Sequence, residues 1–106
     1  MGRNFSLGSR NMGRAGQMAL NNAARVGAVS YSTAATQGER WSQFSEFARQ
    51  AMGIKYMEGV TSGSVIAYGE QLQERVEAGE MSAATAQNYL SAVNSVMSLA
   101  TQGQWN

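Results

Sequence analysis

The sequence predicts an all-α fold, a small bundle of four helices. Apolar residues recur every three or four positions in four segments, which is the period of an amphipathic helix. No segment alternates apolar and polar residues convincingly enough for a strand. Each segment is followed by a glycine, a residue that often ends helices: Gly27, Gly53, Gly79 and Gly103. At 106 residues, the chain has the length of a single domain that buries roughly 65% of its unfolded surface.

Residues 1–11 predict a flexible basic arm because they are rich in Gly, Asn, Ser and Arg. The helical domain is predicted over residues 12–106. Its first helix is expected over residues 12–26, with one apolar side formed by Ala15, Met18, Ala19, Ala23 and Val26.

The second helix is expected to begin at an N-cap, Ser32 or Thr33, and to end at Gly53. Gly38 costs ~1 kcal/mol relative to Ala in a helix interior, so an irregular first turn is expected. The predicted core residues of this helix are Trp41, Phe44, Phe47, Ala48 and Met52.

Residues 54–60 predict a connection whose apolar residues Ile54, Met57 and Val60 are buried under the bundle. Thr61 or Ser62 is expected to cap the third helix, and Ser82 the fourth. The inward residues of the third helix are predicted to be Val65, Tyr68, Leu72 and Val76, and those of the fourth Ala86, Leu90, Val93, Met97 and Ala100.

The composition argues against catalysis by this chain. It contains no His, Cys, Asp or Pro, so the usual zinc ligands and the partners of Cys–His or Ser–His chemistry are missing. We therefore expect no enzyme, no metal and no cofactor. The N-terminal residues have no apolar core typical of a signal peptide, and no segment reaches the ~20 apolar residues of a membrane span. The expected location is the cytoplasm, with no membrane partner.

Charge is distributed unevenly along the sequence. Residues 1–38 contain four arginines and no acid, a net charge of +4, whereas residues 39–80 contain four cations and seven glutamates, a net charge of −3. Residues 81–106 contain no charged side chain. This asymmetry predicts surfaces with different partners.

A set of core and polar positions resembles a known family. The positions are Thr36, Phe44 and Phe47, then Val60, Thr61, Val65, Tyr68 and Leu72, then Ser82, Thr85 and the Tyr-Leu-Ser-Ala-Val run of residues 89–93. Over about residues 31–105 this pattern resembles the N-terminal core-binding domain of tyrosine recombinases, the phage integrase group. Two positions depart from it: Arg40 stands where the family commonly has an aromatic ring, and Asn94 where a basic residue is frequent.

The resemblance implies a SAM-like orthogonal bundle that grips one side of a recombination site on double-stranded DNA. In such proteins a catalytic domain follows on the C-terminal side of the same chain and supplies the arginines, the histidine and the nucleophilic tyrosine. No residue of this chain matches those positions, and Tyr89 belongs to the core pattern. The expected partners are duplex DNA, the catalytic domain of the parent chain and other recombinase protomers on DNA.

Candidate DNA-binding residues fall into two groups. Because phosphate neutralisation supplies much of DNA affinity, arginines of the arm and the first helices are candidates: Arg10, Arg14, Arg25 and Arg40. Amides and hydroxyls near two helix starts can bind phosphates or base edges: Thr36, Gln37, Thr85, Gln87 and Asn88. The alternative to DNA binding for the arm is a solvated basic tail. For Ser32, Thr33 and Ser82 the alternative is a role as helix caps only.

The sequence thus favours a non-catalytic duplex DNA-binding module of an integrase-type recombinase. The rival hypothesis is a protein–protein interaction bundle of a phage or mobile-element adaptor, in which the uncharged last helix docks on a partner helix. Glu70, Glu74 and Glu77 predict a solvated face or a face toward a neighbouring subunit.

Overall fold

The computed structural model describes residues 11–105 and confirms the predicted all-α fold. Within this range the chain forms α1 (Met12–Arg25), α2 (Tyr31–Met52), α3 (Ser62–Glu77) and α4 (Ala83–Ala100), with a single 3₁₀ turn at Met57–Gly59. No strand occurs among the described residues. None of the described helices is both long enough and apolar enough to cross a bilayer. Residues 1–10, most of the predicted arm, lie outside the described residues.

Helix α2 begins two residues earlier than expected. Its N-cap is Ser30, whose hydroxyl accepts a hydrogen bond from the backbone N–H of Thr33 at 3.1 Å. The prediction of Ser32 or Thr33 as the cap is therefore wrong, because both already lie in the first helical turn. Hydroxyls at all three positions make local hydrogen bonds, which makes them hard to rank from sequence.

On the predicted apolar side of α1, Ala15, Ala19 and Ala23 are buried as expected. Met18 and Val26 are 40% and 80% exposed, so their predicted place in the core is wrong. Gly16 is buried, and a Cβ added there would lie 2.1 Å from the indole nitrogen of Trp41. The backbone of α1 therefore approaches the indole closely at this position. Val26 also follows the last helical residue as the C-cap.

The expected irregularity at Gly38 is absent, since α2 is helical throughout. Gly38 is buried beside α1, and the Gln17 side-chain amide donates to its carbonyl oxygen at 2.7 Å. Gly13 lies near Ser45, and Gly16 near Trp41. Because residue numbers rise along α1 as they fall along α2, the two helices are antiparallel.

The other predicted caps are confirmed. Gly53 has φ 66° and ends α2 in the left-handed conformation that glycine adopts without a Cβ penalty. Thr61 caps α3 in a reciprocal capping box with Ser64. Ser82 caps α4 through the N–H of Thr85 at 3.1 Å.

The predicted core is largely confirmed. Trp41, Phe44 and Tyr68 are almost fully buried, with ring centroids 5.4 Å apart for the first pair and 5.2 Å for the second. Met57 and Val60 of the connection are buried as expected. Val65, Phe47, Leu90 and Val76 are partly buried against this core.

The helix order places α1 and α3 on opposite sides of the bundle. Helices α2 and α4 pack on each other, and both α1 and α3 pack on these two helices rather than mainly on each other. The central pair therefore separates the basic first helix from the acidic third helix.

Candidate nucleic-acid interface

The exposed face of α1 is basic and polar. Helix α1 contains no acidic residue, and its exposed side chains are those of Arg14, Met18, Asn21, Asn22 and Arg25. Arg14 and Arg25 are eleven residues apart, about three turns, so they lie on the same side of the helix roughly 16 Å apart along its axis. The side chain of Arg25 donates to Asn22 Oδ1.

An open cleft lies where the start of α1 meets the C-terminal half of α2. Its volume is about 470 Å³, and three cations from three segments line it: Arg14 of α1, Arg49 of α2 and Lys55 of the following connection. None of these three makes an ion pair with another described residue. With Glu46 as the one carboxylate among the described residues of the lining, the cleft carries a net positive charge.

The remaining lining of the cleft is mostly neutral. The acidic side chain in the lining is Glu46, whose Oε1 accepts a hydrogen bond from the Gln50 amide at 3.2 Å. Because a helix leaves its first N–H groups without partners inside the helix, the start of α1 adds the positive end of its dipole here. Asn11 caps that end by accepting from the N–H of Arg14 at 3.1 Å, which leaves the N–H groups of Met12 and Gly13 without a helical partner. The cleft is suited to an anion.

Among the predicted site residues, the structure brings Arg14 and Arg25 together on one face of α1. Arg40 is separate from them. Arg14 lines the cleft on the α1 flank of α2, whereas Arg40 lies on the α4 flank, with its guanidinium carbon 5.8 Å from the centroid of the Tyr89 ring. Arg10 lies outside the described residues.

Two of the predicted hydroxyls are occupied within the fold. The Thr36 hydroxyl donates to the Ser32 carbonyl at 3.1 Å. Thr85 accepts a hydrogen bond at its own hydroxyl from Ser82, at 2.9 Å. Both hydroxyls therefore make local hydrogen bonds within their own helical segments.

The three predicted amides differ in exposure. Gln87 and Asn88 are exposed on α4, so their side chains are accessible to a ligand. Gln37 is half-buried, and its Oε1 has no hydrogen-bond partner among the described residues. Only the α4 pair presents freely accessible amides.

Arg40 and Gln43 of α2 meet Tyr89 of α4 in a polar seam between the two helices, next to the aromatic core. The Gln43 amide donates to the hydroxyl of Tyr89 at 3.4 Å. Behind it, the pKa of Tyr68 is raised to about 12, mainly by burial and also by the neighbouring Tyr89, while Arg75 opposes the shift. The burial and mutual contacts of these rings indicate a structural aromatic cluster, as the helical spacing predicts.

Sequence reasoning missed Arg49 and Lys55 as candidate ligands. Both belong to the middle segment whose net charge is negative, and no local motif marks them. They meet Arg14 because α2 is antiparallel to α1 and because the chain reverses at Gly53. The available signal was the pair of cations on either side of a helix-ending glycine, which becomes informative only with the helix pairing.

The acidic residues lie mostly on the opposite side. Glu70, Glu74 and Glu77 are exposed on α3. Arg75 pairs there with Glu80, at 3.5 Å between Nε and Oε1. No group of three potential metal ligands occurs among residues 11–105.

Comparisons of the chain with protein families, curated proteins and solved structures returned no match.

Proposed function

We propose that this chain is a non-catalytic duplex DNA-binding module of an integrase-type site-specific recombinase. The observation that carries the proposal is the separation of charge across the bundle. The acid-free helix α1 and the glutamate-rich helix α3 lie on opposite sides of the α2–α4 pair. DNA is a dense array of negative charge, so it would approach the α1 side and avoid the α3 side.

The geometry of α1 suits a groove of DNA. Its two arginines lie roughly 16 Å apart on one side, a spacing comparable with the ~12 Å width of the major groove. In the proposed complex each guanidinium would bind a backbone phosphate, and Asn21, exposed between them, would contact base edges. Phosphate contacts of this kind set orientation, and amide contacts add sequence preference.

The integrase assignment is supported by where the resembling positions lie. Phe44, Tyr68, Leu72 and Val93 are all buried, as core positions of a core-binding domain should be. In this proposal Gln87 and Asn88 are further base-edge ligands, and the partners are duplex DNA, a catalytic domain of the same parent chain and other protomers on DNA. Sequencing the gene past the codon for Asn106 tests the assignment: a recombinase catalytic domain supports it, and an unrelated domain or a stop codon contradicts it.

Fluorescence anisotropy with a labelled duplex of about 20 base pairs tests DNA binding itself. We expect binding at low salt that weakens as salt rises, because each neutralised phosphate contributes about −0.9 to the slope of log K against log salt. The double variant Arg14→Gln/Arg25→Gln should bind more weakly. The matched control is Arg75→Gln, which removes a cation from the α3 side. Absent or salt-independent binding, or an equal loss in the control, would refute the proposal.

One observation favours a second candidate, a protein–protein interaction bundle. The exposed positions of α4 carry small or neutral side chains throughout: Ala83, Ala84, Gln87, Asn88, Ser91 and Asn94. A partner helix could pack closely on such a face. The double variant Arg14→Gln/Arg25→Gln separates the two functions, because it should weaken duplex binding through the α1 side while helix docking on α4 is preserved.

A further inference from the structure

We infer that the cleft between α1 and α2 seats a phosphate group of the DNA backbone, held by Arg14, Arg49 and Lys55. This inference rests on the proposed function and specifies a site within it. Neither Arg49 nor Lys55 belongs to the exposed α1 face, so the cleft is a separate contact beside that face.

Cations from three separate segments of the chain converge on the cleft. The three cations come from the start of α1, the last turn of α2 and the connection after Gly53. Like charges repel, and Glu46 is the one acidic side chain among the described residues of the lining, so the cleft keeps a net positive charge. A backbone phosphate would balance this charge and would accept hydrogen bonds from the guanidinium and ammonium groups.

The shape and polarity of the cleft also fit this ligand. Its volume of about 470 Å³ lies within the ~300–1,000 Å³ typical of ligand clefts. Hydroxyls of Ser42 and Ser45 and the amide of Gln17 add neutral polar groups to the lining. The Gln17 amide and the Ser45 hydroxyl already donate within the fold, so the neutral donors left for phosphate oxygens are the Ser42 hydroxyl and the N–H groups at the start of α1.

The cleft is continuous with the exposed face of α1. Arg14 belongs to both surfaces, since it lines the cleft and is exposed on α1. A backbone strand that passes Arg14 can therefore place a phosphate in the cleft without leaving the α1 side. This continuity favours a nucleic-acid phosphodiester over a free phosphate compound.

The test uses the double variant Arg49→Gln/Lys55→Gln, with Arg75→Gln as the matched control. Arg49 and Lys55 are exposed, so the variant should fold, which circular dichroism checks. By anisotropy with the labelled duplex between 25 and 200 mM NaCl, the slope of log K against log salt should shrink by about 1.8, and affinity near 0.1 M should fall by roughly tenfold per lost contact. The control should keep the wild-type slope.

The outcomes distinguish this inference from the function on which it rests. A wild-type protein that binds the duplex while the double variant keeps the full slope overturns the cleft site and leaves the proposed function standing. A wild-type protein that does not bind the duplex overturns both. In a parallel arm, inorganic phosphate is titrated into ¹⁵N-labelled protein. Saturable shifts at Gly13 and Lys55 without duplex binding would identify a site for free phosphate compounds and overturn the DNA assignment.

Discussion

The substitution Gly16→Ala should destabilise the bundle although alanine is the better helix former. The added Cβ would lie 2.1 Å from Nε1, 2.3 Å from Cδ1 and 2.6 Å from Cε2 of Trp41. The indole cannot move aside easily, because it is fully buried and its Nε1 donates to the Met12 carbonyl at 2.9 Å. Either Trp41 or helix α1 must shift.

The expected magnitude follows from three terms. Overpacking a buried site costs about 1–3 kcal/mol, and losing the hydrogen bond of a buried indole adds about 1–3 kcal/mol. The higher helix propensity of alanine offsets about 1 kcal/mol. The expected net loss is about 1–5 kcal/mol in the free energy of unfolding, and each kcal/mol lowers Tm by roughly 4–8 °C for a domain of this size.

The matched control is Gly69→Ala in the interior of α3. Its added Cβ would meet Leu90 at 3.6 Å, an ordinary van der Waals contact, so propensity alone should stabilise the protein by up to about 1 kcal/mol. Urea unfolding followed by circular dichroism measures both variants. A Gly16→Ala midpoint at or above that of the wild type would refute the close α1–α2 contact.

Two further predictions concern stability. The pKa of Tyr68 is raised from 10.0 to about 12 in the folded protein, so the folded state favours the neutral phenol. This contribution to the free energy of unfolding is fully present below pH 10. About 3 kcal/mol of it is lost as the pH rises through 12. Urea midpoints of wild type and Tyr68→Phe, measured from pH 9 to 12, should diverge in this window, and parallel curves would contradict the assignment. Thr61→Ala should cost about 1 kcal/mol by removing the α3 cap, whereas Ser62→Ala beside it should change thermal stability little; equal losses would show that Thr61 is not the cap.

The sequence predicted the helices better than it predicted their contacts. The caps at Thr61 and Ser82 were predictable because capping is a local interaction between residues three apart. The role of Gly16 was not, since nothing near it in sequence indicates that Trp41, 25 positions away, packs against its Cα. Met18 was placed in the core because periodicity ranks a large apolar residue above a glycine, whereas the close approach of α1 and α2 selects the glycine.

The candidate site shows the same limit. The basic character of the first 38 residues was visible in the sequence, and the structure places Arg14 and Arg25 on one face of α1. Arg40, predicted as a ligand together with them, does not share this face. Arg14 lies on the α1 flank of α2, whereas Arg40 projects from the α4 flank. Arg49 and Lys55 join Arg14 only through tertiary contacts, which net charge per segment conceals.

The central claim is that DNA binds the α1 side of the bundle. It is tested most directly by titrating a 20-base-pair duplex into ¹⁵N-labelled protein at low salt and following backbone amide shifts. We predict shifts at Gly13, Met18, Asn21 and Lys55, and none at Glu70, Glu74 and Glu77 on α3. Shifts confined to α3, or to the α2–α4 seam around Arg40 and Tyr89 with α1 silent, would contradict the claim.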